Sequence, residues 1–347
     1  MKKELLLASA LAGSLGLAGV AEAASMSLSG SHSVGVAGSD SDTTDAAVKA
    51  STIQSFLSAS ISETTDAGVK ISSGFTIINE GTPSVNASGL TLTFTDGSKL
   101  DLVSAGNASD SHDIAPPAGG GETGLTYSSA NNAPGGIDFG GASDAVGFEY
   151  HSAADALGIT GLKYGISASF NDEATTAAAG AFDTGYGVGV TYVTTAGDTS
   201  VTVGAGYAAA DYIGTSLTKD EAGGHAGISA VTGNLTVAAA YGSGDSVGTT
   251  TTPTQNNFDS TEMGVKYVSG DMTFNIGYLI SSGTDNVYGA SVATKDEKKA
   301  TSASVDYVIA SGVTGTIGYK DQEGKNEDTV TTNDSGSSWY IGANISF

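Results

Sequence analysis

Beyond the first two dozen residues the apolar side chains come singly, at alternate positions, in runs of about ten residues separated by small and polar ones. The final run shows this most plainly. Trp339, Ile341, Ala343, Ile345 and Phe347 share one face, and Tyr340, Gly342, Asn344 and Ser346 share the other. A period of two is that of a β-strand, and apolar residues so spaced disfavour helices. An apolar strand at the chain's end would leave an aggregation-prone edge in an open sheet. Pairing it with the first strand would close a barrel.

The runs are organised as hairpins. Tyr186, Val188, Val190 and Tyr192 alternate with Gly and Thr, a turn follows at 194–198, and Val201, Val203, Ala205 and Tyr207 alternate again. Aromatic residues near strand ends fit the girdles that edge the apolar band of a membrane barrel. Further turns are expected within 152–158, at Thr232-Gly233-Asn234, at Ser269-Gly270-Asp271 and near Ala310-Ser311-Gly312, where Gly, Asn and Asp tolerate the positive φ of tight turns. Strands are expected near 26–37, 51–62, 69–78, 89–95, 98–105, 143–151, 159–171, 184–193, 199–209, 224–231, 235–242, 261–268, 272–281, 300–308, 313–320 and 337–347. The other connections are long: 38–50, 79–88, 106–142, 172–183, 210–223, 243–260, 282–299 and 321–336. The pattern predicts an all-β chain, a 16-stranded antiparallel transmembrane β-barrel with short periplasmic turns and long external loops.

Ahead of the strands, Lys2 and Lys3 precede an apolar run from Leu5 to Val20 and then Ala21-Glu22-Ala23. That is the grammar of a cleaved signal peptide over 1–23, followed by one domain over 24–347. The formal charge is -24 and there is no Arg and no Cys. So little cationic side chain argues against nucleic acid as a partner, whereas an acidic surface attracts cations.

The leader, the sixteen strands, a third connection longer than all others and the terminal segment Trp339 to Phe347 together resemble a Gram-negative general porin of the alphaproteobacterial type, over essentially all of 24–347. The resemblance implies an integral protein of the outer membrane, surrounded by its lipid: a homotrimer of water-filled barrels through which small hydrophilic solutes and ions diffuse passively. It also implies a third loop, 106–142, folded inward, and a last strand whose Trp339, Tyr340 and Phe347 present the signal read by the outer-membrane assembly machinery.

On that footing the acids Asp110, Asp113, Glu122 and Asp138, with Asp144 at the loop's far end, line the constriction. Carboxylates in a narrow aqueous passage favour cations. Alternation assigns Lys70, Lys99, Asp101, Glu149, His151, Lys163, Glu262, Lys266, Asp306 and Lys320 to the pore wall. General porins set Arg and Lys opposite the acidic loop. Here Arg is missing, and Lys70 and Lys99 are the candidates for the basic side. On the outward face of the first three strands Gly30, His32, Ser55 and Ser73 interrupt the apolar pattern. Polar groups facing hydrocarbon are costly, which points to a subunit interface there.

Enzymatic readings find little support. Gly244-Asp245-Ser246-Val247-Gly248 matches the G-x-S-x-G nucleophile elbow, but that motif needs a strand leading into a helix. The four His have no H-x-x-x-H spacing, so no metal centre is expected. No cofactor is expected either, apart from Ca²⁺ on Asp40, Asp42 and Asp45 or on Asp110 and Asp113. The Gly-x-Gly run at 185–189 reads as small residues on a strand, because no helix follows it. Two alternatives stay open: a substrate-specific channel on the same barrel, and a non-conducting structural or adhesive surface barrel.

Overall fold

The structure is a computed structural model and describes residues 24–41, 44–79, 84–103, 107–119, 146–170, 182–212, 221–247, 254–287, 294–325 and 334–347. The leader and Glu122, Asp138 and Asp144 lie outside these residues.

Seventeen strands form one antiparallel sheet. In chain order they are β1 (Ser25–Ser41), β2 (Thr44–Thr64), β3 (Lys70–Asn79), β4 (Ser84–Ala87), β5 (Leu90–Thr93), β6 (Lys99–Leu102), β7 (Val146–His151), β8 (Leu162–Phe170), β9 (Phe182–Ala196), β10 (Thr199–Tyr212), β11 (Glu221–Thr232), β12 (Leu235–Val247), β13 (Thr254–Ser269), β14 (Met272–Val287), β15 (Thr294–Ala310), β16 (Val313–Lys325) and β17 (Asp334–Ser346). Both β4 and β5 pair with β3, and the register between them slips by one residue at Ser88 and Gly89. They are one barrel strand broken by a bulge, so the wall has sixteen positions. Gly89 is required there, since a Cβ would lie against the Val103 carbonyl oxygen.

β1 pairs with β2 on one side and β17 on the other, which closes the sheet. Beyond the ladder, Gly30 and Phe347 exchange backbone bonds of 3.1 and 3.0 Å. Closure joins the first and last strands and bonds most of the described backbone within the wall, as a lipid-facing sheet requires, although β4 is paired on its β3 side alone.

The burial pattern is inverted relative to a water-soluble core. Large apolar side chains such as Ile53, Tyr186, Ile276, Ile317 and Ile341 are exposed on the outside, while the buried residues are mostly Ser and Ala. Hydrocarbon is the solvent for the outer face, so alternation sorts side chains between lipid and lumen.

Three tight turns, Gly197-Asp198, Gly233-Asn234 and Gly270-Asp271, begin with a glycine of positive φ, at 62, 55 and 59°. The expected external loops are shorter than the alternation suggests. β1 runs to Ser41 and β2 starts at Thr44, inside the expected loop 38–50; β14 runs to Val287 and β15 starts at Thr294, inside 282–299. Past the hydrocarbon both faces of a strand meet water, so the apolar alternation stops while the hydrogen-bonded ladder continues.

Candidate functional site

The site is built by a chain segment that leaves the wall early. β6 holds four residues, and Val103 then adopts a positive φ of 57°. From Asn107 to Gly119 the chain runs inside the barrel and crosses the inner face from β8 to β15. Ala108 donates to Ser167 Oγ at 2.9 Å, Ser111 to Glu149 Oε1 at 2.5 Å and Gly119 to Ser302 Oγ at 2.9 Å. His112 Nδ1 lies 2.7 Å from Thr191 Oγ1, and His225 Nε2 lies 3.0 Å from the Ser109 carbonyl oxygen.

What lets a backbone lie so close to the wall is a stripe of inward-facing glycines. A Cβ at Gly187 would meet Asn107 Oδ1 at 2.1 Å, at Gly189 the Ala108 oxygen at 2.3 Å, and at Gly204 the His112 oxygen at 2.4 Å. At Gly206 it would meet Ser109 Oγ at 2.4 Å, at Gly227 Ile114 Cβ at 2.6 Å, at Gly264 the Pro117 oxygen at 1.9 Å and at Gly277 Ala118 Cα at 2.7 Å. Most of these contacts are with backbone or Cβ atoms, which cannot swing away. The stripe is a track for the third loop. The alternation already marked Gly185 to Gly189 as small strand residues; that several strands repeat the feature at one level was the signal available in the sequence.

Of the loop acids, Asp110 is exposed and opens a short 3-10 turn, Asp110–His112. Asp113 Oδ1 lies 3.5 Å from His225 Nδ1. His112 is buried, and that burial, with the nearby positive charges of His151 and Lys163, holds its pKa below the usual histidine value. A neutral imidazole suits its position on the track.

Two cavities flank the loop. The larger, of about 920 Å³, is lined by Lys99, Asp101, His151 and Lys163 of the wall and by Ser111, His112 and Asp113. The smaller, about 270 Å³, lies under Pro116 to Gly119 and is lined by Glu262, Leu279, Lys298 and Lys320. Thus Lys99, Asp101, His151, Lys163, Glu262 and Lys320 face the loop, as does Glu149 through Ser111. Asp306 accepts from Asn275 Nδ2 at 2.9 Å and Thr316 Oγ1 at 2.7 Å, and half-buried Lys266 stands opposite Asn275. Lys70 is exposed and pairs with Thr93, which also pairs with Lys99; both lysines therefore sit at the turn end of the barrel. Lys298 was missed by sequence reasoning because the early start of β15 turns an expected loop residue into a wall residue.

The four polar outward positions each have a local explanation. The Phe347 ring covers Gly30, where a Cβ would meet it at 2.6 Å. His32 Nδ1 lies 2.8 Å from Ser55 Oγ, and Ser73 Oγ donates to the Ser88 oxygen at 3.4 Å. In the last strand Trp339 and Phe347 stay on the outer face, whereas Tyr340 is buried on the inner face against Gly35 and Gly342. Gly244 to Val247 of that G-x-S-x-G match continue strand β12, and Gly248 lies outside the described residues.

A closed sixteen-position wall with an inward third loop has a counterpart among known families. Residues 7–347 match the family model described as Gram-negative porin. The chain belongs to that family. No curated protein matches this porin significantly. Among solved structures it is similar to the anion-selective porin of Comamonas acidovorans (14% identity, TM-score 0.63, covering 93% of this chain and all of that one). It is also similar to a loop L8 deletion mutant of OmpT, an outer membrane protein of Vibrio cholerae (14%, 0.61, 94% and all). A mutant of the Rh. blastica porin matches with 17% identity and a TM-score of 0.57, over 93% of this chain and all of its own. At such identities the likeness supports the fold of this porin, an integral outer-membrane β-barrel.

Proposed function

We propose that this porin passes small hydrophilic solutes and ions by passive diffusion through a water-filled lumen narrowed by the third loop, with a modest preference for cations. The observation that carries the reading is the seating of Asn107 to Gly119 along the inner glycine stripe. A barrel of about sixteen strands is wide enough to keep an aqueous channel, and a segment laid against the wall, as Asn107 to Gly119 is, narrows that channel. The cation preference rests on the formal charge of -24 and on Asp110 and Asp113 in the loop. Lys298 and Lys320 beside Glu262 keep it modest.

Self-association into a trimer goes with this reading, since a neighbouring OmpT structure is described as a trimer form. Its place on this chain is best supported at β1 to β6. β6 holds four residues, against the roughly 9–11 that a tilted strand needs to cross hydrocarbon, and protein rather than lipid would cover so low a wall. The His32–Ser55 pair lies on the same side. Assembly through recognition of the outward Trp339 and Phe347 belongs to the same proposal.

The test is a planar bilayer recording of the purified protein under a tenfold KCl gradient. Steps in groups of three with a reversal potential favouring K⁺ are expected. A reversal potential favouring Cl⁻ would refute the cation preference, and silence from folded protein would refute the pore.

A further inference from the structure

We infer that Asp101, Glu149 and His151 form a binding site for a divalent transition-metal ion on the pore wall, with His112 of the third loop as a fourth donor. Asp101 of β6 stands directly opposite Glu149 of β7, and His151 lies two residues further along the same face. His151 Nε2 is 2.9 Å from Asp101 Oδ2 and 3.7 Å from Glu149 Oε1, and the three ligand atoms lie within 4.8 Å of one another. A tetrahedral ion with bonds of about 2.0–2.2 Å holds its donors roughly 3.4 Å apart. The cluster therefore needs only small side-chain shifts to close on one.

The charges ask for such an ion. Opposed like charges destabilise a strand pair, and Glu149 is only 3% exposed. Its nearby partners are the neutral hydroxyl of Ser111 and an imidazole shared with Asp101. In the empty site protonated His151 and Lys99, which stands directly opposite it, offset the two carboxylates; two carboxylates and a neutral imidazole would balance a divalent cation once it replaced the His151 proton. Buried charges are ordinarily paired or bound to metal.

His112 supplies an independent observation. It is 6% exposed, its Nδ1 is taken by Thr191, and its Nε2 has no hydrogen-bond partner. The ring lies across Gly189 and Gly165, with Nε2 3.0 Å from where a Cβ of Gly165 would stand. Gly165 is the cross-strand partner of His151. The free nitrogen lies over β8, outside the 4.8 Å group, so it reaches the ion only when the His112 side chain swings towards β7. Its neighbour Ser111 already bonds Glu149. Imidazole with carboxylate donors suits Zn²⁺, Co²⁺ or Ni²⁺ better than Ca²⁺ or Mg²⁺, which take oxygen ligands. Asp101, His151 and His112 line the larger cavity, so an ion can reach them from the lumen. The helix-type H-x-x-x-H spacing is irrelevant here, because the ligands come from two adjacent strands and a loop.

Co²⁺ titration of the purified, folded full chain in detergent, read by visible d–d absorption and displaced by Zn²⁺, tests the site whether or not solutes diffuse through the barrel. One Co²⁺ per chain is expected. Affinity should fall at least about tenfold in Glu149→Gln, in His151→Ala and in His112→Ala. It should be kept in Asp198→Asn, a change in a turn away from the cluster. Glu149→Gln preserves size and is the variant to rely on if His151→Ala misfolds, with gel heat-modifiability as the check. No band from folded wild type, or unchanged binding in Glu149→Gln, would overturn the site; unchanged binding in His112→Ala would overturn the loop's part in it.

Discussion

Replacing Gly264 with valine puts the glycine track to its sharpest test. A Cβ there would lie 1.9 Å from the Pro117 carbonyl oxygen and 2.7 Å from Pro117 N and C. Ordinary contact needs about 3.5 Å, so the loop must retreat by roughly 1.5 Å. That retreat breaks the Gly119 bond to Ser302, now 2.9 Å long. Losing it costs about 0.5–1.5 kcal/mol, and crowding a packed contact costs about 1–3 kcal/mol. The sum of about 1.5–4.5 kcal/mol lowers the seated population of the loop by roughly 10- to 2,000-fold. Valine is a better strand former than glycine, so the wall itself should not suffer. Single-channel recording should show steady openings in wild type and flicker between levels in Gly264→Val. The control is Gly315→Val, an outward position where a Cβ meets first the end of the Ile309 side chain at 3.3 Å. Steady, wild-type conductance from a folded Gly264→Val trimer would show that the loop does not rest on this part of the wall.

Three other outcomes follow from the same geometry. Phe347→Ala should unfold in urea within about 1 kcal/mol of wild type, because the residue is 77% exposed and the backbone bonds to Gly30 survive, yet its yield in the outer membrane should drop; equal yield would remove the terminal ring from assembly. The double change Lys298→Glu with Lys320→Glu should move the reversal potential further towards K⁺, and no movement would place both lysines outside the conducting path. In the turn between β5 and β6, bonds from the Ser98 hydroxyl and backbone hold the Asp96 carboxyl below its usual pKa. The favoured form is the carboxylate, so this contribution is present above about pH 4 and lost as pH falls through the folded value; Ser98→Ala should bring the Asp96 titration, followed by NMR, back towards ordinary.

How much could be read beforehand follows from what alternation encodes. It sorts lipid from lumen, which is how Glu149, His151, Glu262 and Lys320 are assigned to the inner face, and turns at Gly233 and Gly270 announce themselves through residues that accept positive φ. Alternation is silent wherever both faces are wet, which is why β14 and β15 extend several residues beyond the alternating pattern and Lys298 stands on the wall rather than in a loop. The path of the third loop is written across strands. Gly189, Gly204, Gly227 and Gly264 mean little singly, and only barrel register brings them to one level under Asn107 to Gly119. The outward polar positions were read through hydrocarbon cost alone, whereas Gly30 answers to Phe347, more than three hundred residues away.

Liposome swelling tests the central claim most directly. Vesicles carrying the folded protein are placed in iso-osmotic solutions of neutral sugars of increasing size. A lumen narrowed by a wall-seated loop predicts swelling whose rate falls steeply with sugar size and stops at a sharp limit, a limit that moves upward in Gly264→Val. No swelling with the smallest sugar, from protein that is folded and inserted, would contradict the account and leave a barrel that does not conduct.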